Sequence, residues 1–125
     1  MAQKKKILIL DDERDILNVI ERFLNRRGLV DVITVTNPIE ALALIRNGDF
    51  DMLLTDIMMP EMNGVDVLKE VHKMKPYVKV IMMTAYSTID KIIECEQLGA
   101  TDYVTKPFIS LKDVESKVLD HLGIA

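Results

Sequence analysis

Met52-Leu53-Leu54-Thr55-Asp56-Ile57-Met58-Met59-Pro60-Glu61-Met62-Asn63-Gly64 carries an apolar run into a carboxylate and then into a turn. Ile7-Leu8-Ile9-Leu10 does the same, ending in Asp11-Asp12. Val78-Lys79-Val80-Ile81-Met82-Met83 ends in the hydroxyl of Thr84, and Tyr103-Val104-Thr105 ends in Lys106-Pro107. Short apolar strands separated by helical segments predict a parallel sheet, because parallel neighbours need a long crossover between them. All strands of such a sheet end on one side, and ligands of open parallel sheets bind beyond those carboxyl ends. Three carboxylates, a hydroxyl and an ammonium are therefore expected in one small cleft.

Working outward, Lys6 to Leu10 reads as the first strand, apolar on both faces as buried parallel strands are. A helix from about Glu13 to Arg27 follows, with Ile16, Val19, Ile20, Phe23 and Leu24 as its apolar stripe and Gly28 as its stop. Val30 to Val35 is a β-branched strand. Asn37-Pro38 has the pattern of an N-cap followed by proline at the first helical position, leading through Leu42 and Ile45 to Asn47-Gly48. Asp51 to Thr55 is the third strand, and Asn63-Gly64 opens a helix through Val65, Val67, Leu68 and Val71. Val78 to Met83 is the fourth strand. A helix from about Ser87 to Leu98 follows, with Ile89, Ile92 and Ile93 inward and Gly99 as its stop. Thr101 to Thr105 is the fifth strand, and Ser110 caps a last helix through Leu111, Val114, Val118, Leu119 and Leu122. Five strands alternating with five helices predict one α/β domain over residues 1–125, built from right-handed crossovers with helices on both faces.

The composition agrees with a globular domain. The 125 residues are 49% hydrophobic and 29% charged, enough for a substantial core. No run approaches the roughly 20 apolar residues that cross a bilayer, and the short apolar stretch after Lys4-Lys5-Lys6 lacks the form of a secretory signal. A cytoplasmic location and no membrane contact are expected. The net charge of −4 argues against direct nucleic-acid binding by this domain, which would need a basic face. The single cysteine, Cys95, reads as a packed thiol, and most of the eight methionines read as flexible core filling. His72 and His121 fall in predicted helices outside the cleft and are expected at the surface.

Each polar residue has a bland reading: Asp12 as a helix cap, Asp56 as a turn former, Thr84 as a loop cap, Lys106 as a solvated lysine. All of them falling together at successive strand ends is a poor match to chance. Three carboxylates left bare would repel, and Mg²⁺ resolves that repulsion because it takes oxygen ligands and keeps several waters. With charge offset by metal and by Lys106, a phosphoryl donor can approach, and an aspartate carboxylate is a competent nucleophile toward phosphorus.

The stretches ILILDDE, LLTDIMMPEMNG, VIMMTAYS and GATDYVTKPF resemble, in order and spacing, the response-regulator receiver family (CheY-like), the phosphoacceptor domains of two-component signalling. The resemblance implies a flavodoxin-like sheet of strand order 2-1-3-4-5. It implies Asp56 as the phosphorylated residue, with Asp11, Asp12, Asp56 and the backbone carbonyl of Met58 holding Mg²⁺, for which Mn²⁺ would substitute. Thr84 corresponds to the hydroxyl that engages the phosphoryl group, Lys106 to the family's lysine, and Tyr103 to its aromatic switch. The Lys106–Pro107 bond is expected to be cis. Met58 and Tyr86 correspond to positions that flank the attacking water and modulate hydrolysis. The expected partners are a sensor histidine kinase or a histidine phosphotransfer protein, and an output partner at the Ser87–Leu98 helix. A second copy of the chain, in a phosphorylation-dependent dimer, is the other partner the resemblance admits. Such a domain promotes its own phosphorylation and slow dephosphorylation but is not otherwise an enzyme.

Three other readings compete. A haloacid-dehalogenase-like Mg²⁺-dependent phosphatase would carry a second Asp two residues after its nucleophile, where this chain has Met58. A flavodoxin would place a Ser/Thr/Gly-rich phosphate loop after the first strand, where Asp11-Asp12-Glu13 would repel the phosphate. A phosphorylation-independent docking module would be expected to have lost part of the acid cluster.

Overall fold

A computed structural model describes residues 4–85 and 90–124. In chain order its elements are β1 (Lys5–Leu10), α1 (Arg14–Asn25), β2 (Val30–Val35), α2 (Pro38–Asn47), β3 (Met52–Asp56), α3 (Gly64–Met74), β4 (Lys79–Ala85), α4 (Ile92–Gln97), β5 (Asp102–Lys106) and α5 (Leu111–Leu122). The strands form one parallel sheet in the order β2-β1-β3-β4-β5, the expected flavodoxin-like arrangement.

Because successive side chains of a strand point to opposite faces, the unbroken apolar runs feed two cores at once. Leu8, Leu10, Leu53, Val80 and Met82 pack on one face against Ala41, Ile45, Leu68, Val71 and Cys95. Ile7, Ile9, Met52, Leu54, Ile81 and Met83 pack on the other against Leu17, Ile20, Leu24, Val114 and Val118. Three helices start on a side-chain cap: Asn37 accepts from Ile39 and Glu40 N–H, Asn63 from Asp66 N–H, and Ser110 from Asp113 N–H. Such caps satisfy backbone donors that the helix itself leaves unpaired.

The structure corrects four expectations. The inward stripe of α1 is Leu17, Ile20 and Leu24, whereas Val19 is 51% exposed. Ile20 and Leu24 face inward as expected, and Ile16 packs partly buried against the same core; Leu17 joins them and Val19 falls outside the stripe. The helix expected from Ser87 to Leu98 is, among the described residues, a 3₁₀ turn at Asp90 and Lys91 followed by α4 from Ile92; Tyr86, Ser87 and Ile89 lie outside the described residues. In so short a helix Ile92 and Cys95, three apart, take the buried side, and Ile93 is 68% exposed. The third, fourth and fifth strands each extend past the expected end, so Asp56, Thr84 and Lys106 lie within strands rather than after them. His121 is not a plain surface residue, since it is half-buried and its Nε2 lies 2.8 Å from Asp102 Oδ2.

Gly64 explains how the turn after Asp56 closes. Its N–H donates to Ile57 O at 2.7 Å, and an added Cβ would stand 2.1 Å from Asp56 O and 2.9 Å from Ile57 Cα. Both neighbours are backbone, so no rotamer change relieves the clash. Gly64→Ala is therefore expected to lower stability by at least about 1–3 kcal/mol, the ordinary range for overpacking. It should also displace the Asp56 backbone. A thermal melt of the variant, matched against Gly28→Ala, whose Cβ meets nothing within 4 Å, checks this. Gly28 adopts φ +65°, so its own loss is one of backbone strain alone. An unchanged melting temperature for Gly64→Ala would contradict the tight approach.

Candidate functional site

The strand registers bring the polar residues to one level. Leu10 pairs with Thr55, so Asp11 follows β1 just where Asp56 ends β3. Asp56 pairs with Met83, one residue before Thr84, and Ala85 pairs with Lys106. A cleft between the ends of β1, β3, β4 and β5 is the consequence of those pairings. The Lys106–Pro107 peptide bond beyond β5 is cis.

Asp11 is fully buried, Asp56 is 7% exposed, and Asp12 is exposed at the mouth. Asp11 Oδ1 accepts from Glu13 N–H at 2.9 Å, and Asp11 Oδ2 accepts from Lys106 Nζ at 2.8 Å. Lys106 Nζ also lies 3.4 Å from Asp56 Oδ2 and 3.8 Å from Glu13 Oε1. The reading of Asp12 as a helix cap does not hold: α1 is entered through Glu13, with no side-chain cap. Lys106 is not a solvated lysine either, since its side chain is mostly buried among acids. Glu13 is the member of this cluster that the sequence pattern does not single out. Its only signal is its place directly after the acid pair.

Burial pushes the Asp56 carboxyl up to about 6. Lys106 works against that rise, while the charges of Asp11 and Asp12 reinforce it. Burial alone would pull the Lys106 ammonium down, but its hydrogen bond to Asp11 and the charges of Asp56 and Asp11 lift it above the ordinary lysine value. At neutral pH the cleft thus holds a permanent ammonium and an aspartate whose charge is costly. A second cation would relieve that cost.

The donor set fits a hard divalent ion. Asp11, Asp12 and Asp56 each offer a carboxylate oxygen within 4.8 Å of the others, with no sulfur or imidazole among them. All-oxygen sites of this size suit Mg²⁺ or Mn²⁺ rather than Zn²⁺. The acidic triad is thus one that could hold a metal ion.

Thr84 is fully buried, and its hydroxyl donates to Ala85 O at 3.2 Å. Tyr103 is half-buried against the core that includes Met82, its register partner on β4. Met58 is 59% exposed beside Asp56. Tyr86 lies outside the described residues. Cys95 is buried as expected, and burial raises its thiol pKa, the mark of a packing residue rather than a nucleophile.

A doubly wound parallel sheet with an acid triad and a lysine at its strand ends forms a site that could hold a metal ion beside a fixed ammonium. The sequence profile of the response regulator receiver domain matches residues 7–118. The transcriptional regulatory protein ZraR of Klebsiella oxytoca is 37% identical over an alignment of 126 positions that covers 99% of this chain and 28% of that protein. The response regulator SaeR of Staphylococcus aureus is 41% identical over 102 residues, 82% of this chain and 44% of that protein. The chain thus spans less than half the length of these relatives. Among solved structures, a CheY-like receiver domain protein from Methanospirillum hungatei superposes with a TM-score of 0.90 at 33% identity, covering 97% of this chain and 95% of that one. The Francisella response regulator 1452 receiver domain gives 0.83 at 31%, covering 92% and 93%. This chain belongs to the response regulator receiver family. Receiver domains use Mg²⁺ and are not catalytic enzymes in their own right. Among the described residues no helix is long and apolar enough to cross a membrane.

Proposed function

We propose that Asp56 accepts a phosphoryl group from the phosphohistidine of a sensor histidine kinase or a histidine phosphotransfer protein, and that residues 1–125 act as one receiver unit in the cytoplasm. The observation that carries this is the Lys106 ammonium, 2.8 Å from Asp11 and 3.4 Å from the nucleophile Asp56. An Asp56 oxygen attacks phosphorus, the phosphorus–nitrogen bond breaks, and its electron pair returns to the imidazole. Lys106 offsets charge on the transferring oxygens. Asp11, Asp12, Asp56 and the Met58 carbonyl are the groups that would hold Mg²⁺ or Mn²⁺. The bound ion supplies charge neutralisation for the incoming phosphoryl group.

Acetyl phosphate with Mg²⁺ is a kinase-free test. Intact mass should show one added phosphoryl group, labile to hydroxylamine as an acyl phosphate is. Uptake at a residue other than Asp56, found by peptide mapping, would count against the assignment.

The phosphoryl group is expected to be long-lived. Met58 and Tyr86 are the side chains assigned to flank the attacking water, and neither is a base able to orient it. Loss of label within seconds at neutral pH would refute this. Met58→Glu should shorten the lifetime by supplying a carboxylate at the mouth.

The signal leaves through Thr84 and Tyr103. A phosphoryl oxygen is a charged acceptor that draws the Thr84 hydroxyl inward, and Tyr103 turns into the vacated space. The surface of α4, β5 and α5 then changes for an output partner or a second copy. A ligand shifts such an equilibrium only through its differential affinity for the two states. Thr84→Ala should therefore keep phosphoryl uptake and lose most of the surface change. Amide shifts of Ile92 to Gln97, with and without beryllofluoride, report it. A full response in the variant would separate Thr84 from the switch.

A further inference from the structure

β5 is an edge strand, and edge strands present backbone donors and acceptors that other chains can pair with. Here the side chains around Tyr103 occupy that edge. Asp102 Oδ1 accepts from Tyr103 N–H at 2.7 Å, and Lys117 Nζ donates to Tyr103 O at 2.6 Å. Lys117 comes from α5, on the opposite face of the sheet from the core that Tyr103 packs against. Its ammonium reaches round the edge and lies 5.1 Å from the centroid of the Tyr103 ring, within cation–π range. The same ammonium stands 3.6 Å from Asp102 Oδ1, and Asp102 is held in turn by His121 Nε2 at 2.8 Å. The far end of α5 is tied as well, since Lys79 Nζ donates to His121 O.

These contacts divide into two kinds. The bonds to the Tyr103 backbone and to Asp102 do not depend on where the ring points. The ring contact does. We infer that Lys117 is a latch on Tyr103, a cation anchored by the β5 backbone and Asp102 that favours the ring position seen here and opposes its turn toward Thr84. The inference rests on the phosphoacceptor reading above and adds a regulating residue to it. A contact made in only one of two states biases the equilibrium toward that state, and linkage carries the bias back to the ligand site. Asp56 is therefore expected to bind a phosphoryl mimic more weakly than it would without Lys117.

The test is a beryllofluoride titration with Mg²⁺ on the whole domain. Lys117→Gln keeps a donor for the Tyr103 carbonyl and removes the charge over the ring. Its affinity should rise roughly two- to fivefold, the range a surface cation–π contact supports. Lys117→Arg, which keeps a cation there, should stay near the parent. In a Tyr103→Leu background, Lys117→Gln should have no effect, because the cycle isolates the pair. A purely structural role would lower the melting temperature without moving affinity. Equal affinity in the parent and Lys117→Gln overturns the latch, as does a gain that persists without the ring. A parent domain that binds no beryllofluoride at all would instead remove the phosphoacceptor reading, and the latch with it.

Discussion

Replacing Asp56 by Asn is expected to abolish phosphoryl uptake and, above pH 6, to make the metal-free domain more stable. The first effect follows from losing the nucleophile. The second follows from the raised pKa. An unfolded aspartate titrates near 3.8, and in the fold burial lifts Asp56 to about 6. The native state thus holds the proton more tightly than the unfolded one. Below the unfolded value both states are protonated and the group is neutral to stability. Stability falls as pH rises from 3.8 to 6, and above that the full cost is present. A rise of that size corresponds to about 3 kcal/mol, an upper bound on the gain because the Asn amide must find partners of its own. Urea unfolding of parent and variant should therefore agree near pH 4 and diverge above pH 6, with the variant more stable. Saturating Mg²⁺ should narrow the difference by stabilising the parent more than the variant, which has lost one anionic ligand. A variant less stable than the parent at pH 7.5 without metal would mean that Asp56 is not under strain.

That strain shows where the sequence was informative and where it was not. Sheet order and crossovers follow from unbroken apolar runs alternating with amphipathic ones, together with the resemblance that supplies the order of strands. The meeting of Asp11, Asp56 and Lys106 was legible for the same reason, because parallel strands all end on one side. What periodicity could not reveal is the exact edge of a helix's buried face: Ile20 and Leu24 face inward as expected, but Leu17 is buried and Val19 is exposed. It also could not reveal Glu13 in reach of Lys106, or Lys117 crossing the sheet edge to Tyr103. Both depend on where long side chains reach once the backbone is placed. Those distances are tertiary, and no local pattern encodes them. The close approach of Gly64 to the Asp56 carbonyl belongs to the same kind: the Asn-Gly pair announces a helix start, but only packing shows why a methyl group is excluded.

Lys106→Met is expected to give the largest loss. The substitution keeps an apolar stem and removes the ammonium that touches Asp11 and Asp56. Fully buried Asp11 would then keep, among the contacts described, only the Glu13 N–H. Breaking a buried pair by removing one partner costs about 3–5 kcal/mol, and the open mouth of the cleft places this case near the lower end. The acids hold the lysine pKa above its ordinary value, so its contribution is fully present below the unfolded value of 10.5 and is lost only as pH rises through the higher folded one. The deficit should therefore be large at pH 7. It should shrink toward pH 5, where Asp56 takes up a proton and the repulsion eases. A divalent ion among the three carboxylates can stand in for the missing charge. Mg²⁺ should accordingly raise the melting temperature of the variant by more than it raises that of the parent, while phosphoryl uptake from acetyl phosphate stays slow because charge on the transferring group is no longer offset from that side. If the metal-free variant melts with the parent at pH 7, the ammonium is not what makes the acid cluster tolerable.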